Sequence, residues 1–288
     1  MIMTQEPAGV TSPQIASYYD LNTERFLRYG GSKAEGAIHR QIWAPGVKNK
    51  RQALEYLNHL VAVEIEPLLG LDTGISKVLD LGCGVGGTAT WLAEAMDVQV
   101  LGITNSVVQH QLAVQRAEEL YLADHCRFIL ADYSEFTELG RFNAVYMIEV
   151  FTHAPNAGSL PASIWEHLLP GGRLVIADDF RGAGVNIHEA VLPSYWLQQF
   201  QRGWQLNSLL SRSEIIALAD QFGFRLIKEL DLTPFLRILP WYLLKPATLF
   251  SRLPFHQVYW QNLKGGLALQ YCNRQGWTKY HFLVWEKE

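Results

Sequence analysis

Val78-Leu79-Asp80-Leu81-Gly82-Cys83-Gly84-Val85-Gly86-Gly87 is the stretch that decides the fold. Two β-favouring apolar residues lead into an acid and then into a run of glycines, and Thr88–Ala95 reads as the following helix. A strand that turns this sharply into a helix presents backbone N–H groups and a helix N-terminus to a ligand. Glycine is needed where a Cβ would collide with the turn or with that ligand. Gly82, Gly84 and Gly87 match G-x-G-x-x-G, which alone is a weak mark of a nucleotide site. Asp80, two residues before the first glycine, sharpens it. Dinucleotide enzymes carry a ribose-binding acid after the next strand. Here the chain reads Gly102-Ile103-Thr104-Asn105-Ser106, which speaks against NAD.

Composition sets the bounds. A chain of 288 residues, 49% hydrophobic and 18% charged, can bury a sizeable core in one large domain. A formal net charge of −4 gives no electrostatic reason to expect nucleic acid. Cys83, Cys126 and Cys272 are scattered without a C-x-x-C pair, the usage of a reduced, cytoplasmic compartment. The first residues lack the basic start and apolar core of a signal peptide, and no uninterrupted apolar run reaches membrane-spanning length.

Strand and helix signals then alternate. Strands are expected at Val78–Leu81, Gln99–Ile103, Cys126–Leu130, Phe142–Ile148, Arg173–Ala177, Phe224–Glu229 and Tyr280–Trp285. Helices are expected at Arg51–Leu69, Thr88–Ala95, Val107–Tyr121, Gly158–Leu169 (stopped by Pro170-Gly171-Gly172) and Ser211–Phe222. This order predicts an α/β, Rossmann-like, mostly parallel sheet of seven strands with helices on both faces. Residues 1–14 are polar and expected to be loose. Four regions follow: an N-terminal helical cap (1–70), the ligand-binding core (71–230), an apolar lid or insertion (231–276) and the last core strand (277–288). Within the insertion, residues 234–256 are strongly apolar but broken by Pro240, Pro246 and Pro254, which exclude one long helix. The segment reads as a lid over a greasy pocket, a weak membrane-surface patch or a core insertion. Its basic residues are too few for strong binding to anionic lipid.

The chain resembles the class I S-adenosylmethionine-dependent methyltransferases, most closely the branch holding sterol side-chain and tocopherol methyltransferases. Val78–Gly87 is similar to their motif I. Gly102-Ile103-Thr104-Asn105-Ser106 resembles the branch's G-I-T-x-S, which replaces the usual acid. Residues 146–155 (Y-M-I-E-V-F-T-H-A-P) resemble the I-E-A-T-C-H-A-P of sterol enzymes, and 168–178 (L-L-P-G-G-R-L-V-I-A-D) resemble the fifth-strand segment. The resemblance spans about 18–230 and implies S-adenosylmethionine as cofactor and an antiparallel last strand.

A sulfonium ligand carries a carboxylate and an ammonium but no phosphate. Gly82, Gly84 and Gly86 are then expected to let the backbone approach it, with Asp80 organising the loop or receiving the ammonium. Asp132, beside Tyr133, is placed to accept from the adenine amino group. Thr104, Asn105, Ser106 and Gln109 are placed to bond the ribose, although Ser106 could equally cap a helix. The Tyr18-Tyr19-Asp20 run, with Tyr29, resembles the cap that closes over the cofactor. His153, Glu149 and His39 are the catalytic or substrate-orienting candidates, against purely structural roles for each. Glu149 also counts among the cofactor contacts. Asp178 and Asp179 end a strand without the Asp-Asn pair of a metal-dependent site, so no metal is expected. Nine tryptophans, thirteen phenylalanines and the aromatics Trp196, Phe200 and Trp204 suggest a hydrophobic small-molecule acceptor, methylated on oxygen or carbon. A non-methylating cyclase or binding protein, and an NAD(P) oxidoreductase, are the alternatives still open at this level.

Overall fold

The computed structural model describes residues 10–70, 74–132, 139–183, 185, 191–250 and 258–288. At its centre is a seven-stranded sheet of order β3-β2-β1-β4-β5-β7-β6. The strands are β1 (Ser76–Leu81), β2 (Val98–Thr104), β3 (Cys126–Leu130), β4 (Phe142–Ile148), β5 (Leu168–Arg181), β6 (Phe224–Asp231) and β7 (Thr278–Lys287). The first five pair in parallel, and β7 runs antiparallel between β5 and β6.

Consecutive strand residues point to opposite faces, and here both faces are covered. Val78, Tyr146 and Val175 belong to one buried cluster, with Leu57, Val61 and Ile65 of α2 (Lys50–Ile65) packed on them. Leu79, Val145 and Leu174 belong to the other, which contains Ile164 of α5 (Leu160–His167) and Ile215 of α7 (Arg212–Asp220). This is why the strands read as continuous apolar runs rather than as an alternation. The sheet's switch in winding direction falls between β1 and β4. α3 (Gly87–Ala95) follows β1 and α4 (Val107–Glu119) follows β2, so their N-termini converge at the carboxyl edge, where ligands bind in open α/β sheets.

Two local expectations change. The polar N-terminus does not stay loose to residue 14: α1 runs from Ser12 to Arg25, with Pro13 in its first turn and the Gln14 side chain accepting from the Thr11 N–H at 2.9 Å. Pro170-Gly171-Gly172 does not end a helix. α5 has already stopped at His167, and the three residues form an irregular segment within β5, where partners jump from Phe142↔Leu168 to Ala144↔Arg173.

Over the carboxyl edge lies a third small core. α6 (Val191–Trp204) packs against α9 (Val258–Gln275) around Trp196, Phe200, Ala268 and Cys272. α8 (Trp241–Phe250) keeps Pro246 inside its span, so residues 234–256 do contain a helix, but a short one. Among the described residues no helix is long and apolar enough to cross a membrane. α6 and α9 touch backbone to backbone: a Cβ on Gly203 would lie 2.5 Å from the Gly265 Cα. Gly203→Val must therefore push the helices apart. The expected loss is about 1–3 kcal/mol, a fall in Tm of roughly 2–10 °C by scanning fluorimetry. An unchanged Tm would mean that the crossing is not tight.

Candidate active site

The turn after β1 is fixed from beneath: the Gly82 and Cys83 N–H groups both donate to the Ile103 carbonyl, at 2.9 and 2.8 Å. Gly82, Gly84 and Gly87 line a cavity with about 1060 Å³ of empty space, its open mouth included. Gly86 does not share that wall. It caps α3 at φ +76°, and a Cβ there would meet the Phe128 ring, so it serves the turn and not a ligand. On the outside of the turn, a Cβ on Gly87 would lie 2.1 Å from the Gly36 carbonyl oxygen. The N-terminal strap is thus seated directly on the turn.

Asp80 is 3% exposed, and its Oδ2 accepts from the Tyr146 hydroxyl at 2.7 Å. Loss of solvation pushes its carboxyl up to about 7, against the opposing effect of that hydrogen bond. Thr104, Asn105 and Gln109 line the same cavity. The Thr104 hydroxyl donates to Gln109 Oε1 at 2.9 Å, which leaves the buried Gln109 Nε2 with no acceptor among the described residues. Ser106 is turned away from the cavity. It caps α4, accepting from the Gln109 N–H at 3.1 Å and donating to Asp20, because a helix start offers it backbone donors close by. Asp132 is half-buried beyond the edge strand β3 and does not reach the cavity wall, and Tyr133 lies outside the described residues.

Of the cap tyrosines, Tyr19 lines the cavity, whereas Tyr18 is buried behind it, edge-on to Tyr19 at 5.3 Å. Tyr29 does not close over the site. A π-helical turn at Phe26–Gly30 directs Phe26 to the cavity and leaves Tyr29 74% exposed. The Tyr19 hydroxyl is 2.8 Å from His153 Nε2. His153 Nδ1 faces the Gln205 carbonyl at 3.2 Å, an atom that can only accept, so Nδ1 carries the hydrogen and Nε2 accepts from Tyr19. Burial drives the His153 pKa down to about 4, which keeps the ring neutral.

Glu149, just beyond β4, has a left-handed backbone (φ +56°), rare for a residue other than glycine and often found at functional sites. Its Oε1 accepts from the Arg40 N–H at 2.8 Å and the Tyr280 hydroxyl at 3.0 Å. The Arg40 guanidinium pairs with Asp179 and lies 4.8 Å from the centre of the Tyr280 ring. Asp178, buried beside it, holds the Thr152 N–H at 3.1 Å, and burial raises its carboxyl to about 7. His39 lies in the same wall; its Nδ1 is 3.1 Å from the Arg40 carbonyl, and among the described residues Nε2 has no hydrogen-bond partner. Burial lowers the His39 pKa, with Glu149 and the Arg40 carbonyl opposing. Arg40, Tyr146 and Tyr280 were not among the site residues expected from the sequence. Arg40's position next to His39 was the available signal; the tyrosines carried none.

A family model described as mycolic acid cyclopropane synthetase matches residues 61–231, more than half of the chain. The chain belongs to the mycolic acid cyclopropane synthetase family. Among the chain's relatives is the sterol 24-C-methyltransferase erg-4 of Neurospora crassa, 28% identical over 231 residues. That alignment covers 78% of the chain and 57% of the relative, so the chain spans little more than half the sterol enzyme's length. The O-methyltransferase rstn1 of Aspergillus nomiae is 29% identical over 224 residues, covering 77% of the chain and 93% of the relative. Among solved structures, the cyclopropane synthase MmaA2 from Mycobacterium tuberculosis superimposes with a TM-score of 0.75. At 17% identity it covers 98% of this chain and all of that one, a likeness of fold.

Proposed function

We propose that this chain is an S-adenosylmethionine-dependent methyltransferase acting on an oxygen or carbon of a hydrophobic small molecule. The observation that carries this reading is Asp80: a buried carboxylate beneath the glycine turn, held by one tyrosine, in the wall of the cavity of a member of this family. The residues fit the cofactor. Asp80 suits its ammonium group, the unpartnered Gln109 Nε2 suits a ribose hydroxyl, and a Cβ on Gly84 would intrude to 3.0 Å from Ile38. When bound, the cofactor supplies an activated methyl group.

The chain's own part is placement and exclusion of water. Holding two groups in reacting geometry supplies roughly 7–11 kcal/mol in favourable cases. Tyr19, Phe26 and Trp204 give the acceptor side aromatic walls. His153 is engaged in orienting Tyr19, so His39, neutral and with Nε2 open, is the group that accepts a proton from a hydroxyl acceptor. Glu149 is held in place by Arg40 and Tyr280 beside it. His39→Ala is expected to lower kcat for hydroxyl acceptors by about 10²–10⁴, and to leave carbon acceptors that lose no proton to His39 within about threefold; equal losses in both classes would remove the base from the mechanism. Calorimetry with S-adenosylmethionine tests the reading itself, since a folded sample without saturable binding refutes it. Transfer of labelled methyl to a product separates it from a non-methylating role.

A further inference from the structure

A second chamber, with about 910 Å³ of empty space including its open mouth, adjoins the first and shares Phe26, Ile38, His39, Arg40, Glu149 and Trp204 with it. Its outer part is walled by Trp43, Leu236, Ile238 and Leu269. Three further groups set its polarity. Gln270 spends its oxygen on the Leu239 N–H at 2.9 Å, and Asn273, only 7% exposed, spends its oxygen on the Thr278 hydroxyl at 2.8 Å. Each amide therefore keeps its NH₂ for the chamber. The Arg237 guanidinium carbon sits over the Trp43 ring, 3.1 Å from its centre, at the exposed end. Stacking occupies one face of the guanidinium and leaves its N–H edge available.

Among the described residues no acceptor engages these three groups, and Glu149, held by Arg40 and Tyr280, is the one carboxylate in the wall. Clustered donors without acceptors in an apolar chamber are complementary to an anionic oxygen group.

We infer that the second chamber is the acceptor's subsite, and that it selects an amphipathic anion. The apolar body reaches past Trp204 and Phe26 towards the reaction cavity, while a carboxylate or phosphate is held by Arg237, Gln270 and Asn273. This rests on the methyltransferase reading and adds the class of acceptor to it. Arg237 is thus a specificity-determining residue, distant from the transferred methyl.

The test uses the full chain saturated with S-adenosylhomocysteine, whose own binding is measured first by calorimetry. Octanoate, octyl phosphate and 1-octanol are then titrated against tryptophan fluorescence, since Trp43 and Trp204 line the chamber. At least one anion is expected to bind about tenfold or more tightly than the alcohol. Arg237→Ala should remove that preference, and Arg237→Lys should keep part of it. Whichever anion binds more tightly identifies the head group. Equal affinity for all three probes, binding of none, or a loss in Arg237→Ala shared by octanol overturns the inference. Failure to bind S-adenosylhomocysteine would instead count against the methyltransferase reading.

Discussion

Asp80→Asn is expected to raise the Tm of the ligand-free protein at pH 8 while weakening S-adenosylmethionine binding by about 10²-fold. The two effects have one cause. Asp80 is almost wholly buried and its carboxyl is raised to about 7, so the folded state holds a proton that the unfolded chain releases near the ordinary value of 3.8. A raised acid of this kind favours the folded state fully below about pH 4, and that contribution is lost as pH climbs through 7. At pH 8 the ligand-free protein must keep a carboxylate out of water, and among the described residues the Tyr146 hydroxyl is the side chain that hydrogen-bonds it. Asparagine still accepts from Tyr146 and has no charge to desolvate. It also has none to offer an ammonium, and losing a charge-assisted contact of about 3 kcal/mol corresponds to that hundredfold. Scanning fluorimetry of both proteins from pH 5.5 to 8, with calorimetry at pH 8, gives the result. A variant that binds like the wild type would take Asp80 out of the ligand site. In the wild type, the same ionisation makes cofactor affinity rise with pH up to about 7 and level off above it.

Arg40→Met should be the most damaging single change to stability in the site. The Arg40 guanidinium serves Asp179 and approaches Glu149, and both carboxylates are largely shielded from water. Removing the cation leaves buried negative charge uncompensated, which costs about 3–5 kcal/mol where it has been measured. For a chain of this size that is a fall in Tm of roughly 10 °C. Adding Asp179→Asn to Arg40→Met should restore part of the loss, because neighbours in one network are not additive. If the double variant shows the plain sum of the two single effects, the pair is not coupled and Arg40 contributes by packing alone.

The stretch from Val78 to Gly87 was legible because its chemistry is local. An apolar strand, an acid and crowded glycines permit few backbones, and the β1–turn–α3 unit follows from them. The alternation of strands was legible for the same reason. α9 was not among the expected helices: Gly265 lies inside it, and Gly203 of α6 packs directly against that glycine. No property of residues 258–275 alone announces that. The site divides along the same line. Asp80, Thr104 and Gln109 sit at strand ends or the helix start after them, so position in the pattern located them. Arg40, Tyr280 and Asp179 meet from segments far apart in the chain, and only the folded register brings them together. Tyr29 was misjudged because of a π-helical turn, whereas Ser106 takes the capping role that the sequence had left open beside the ribose contact.

Of the seven strands, β7 is made last, yet it lies between β5 and β6. While the ribosome is still producing α9, β5 has a bare edge and β6 has no neighbour to bond. Long unpaired edges invite association with other chains. The sheet can therefore close only once Thr278–Lys287 has been added, and until then two strand edges stay open to wrong partners.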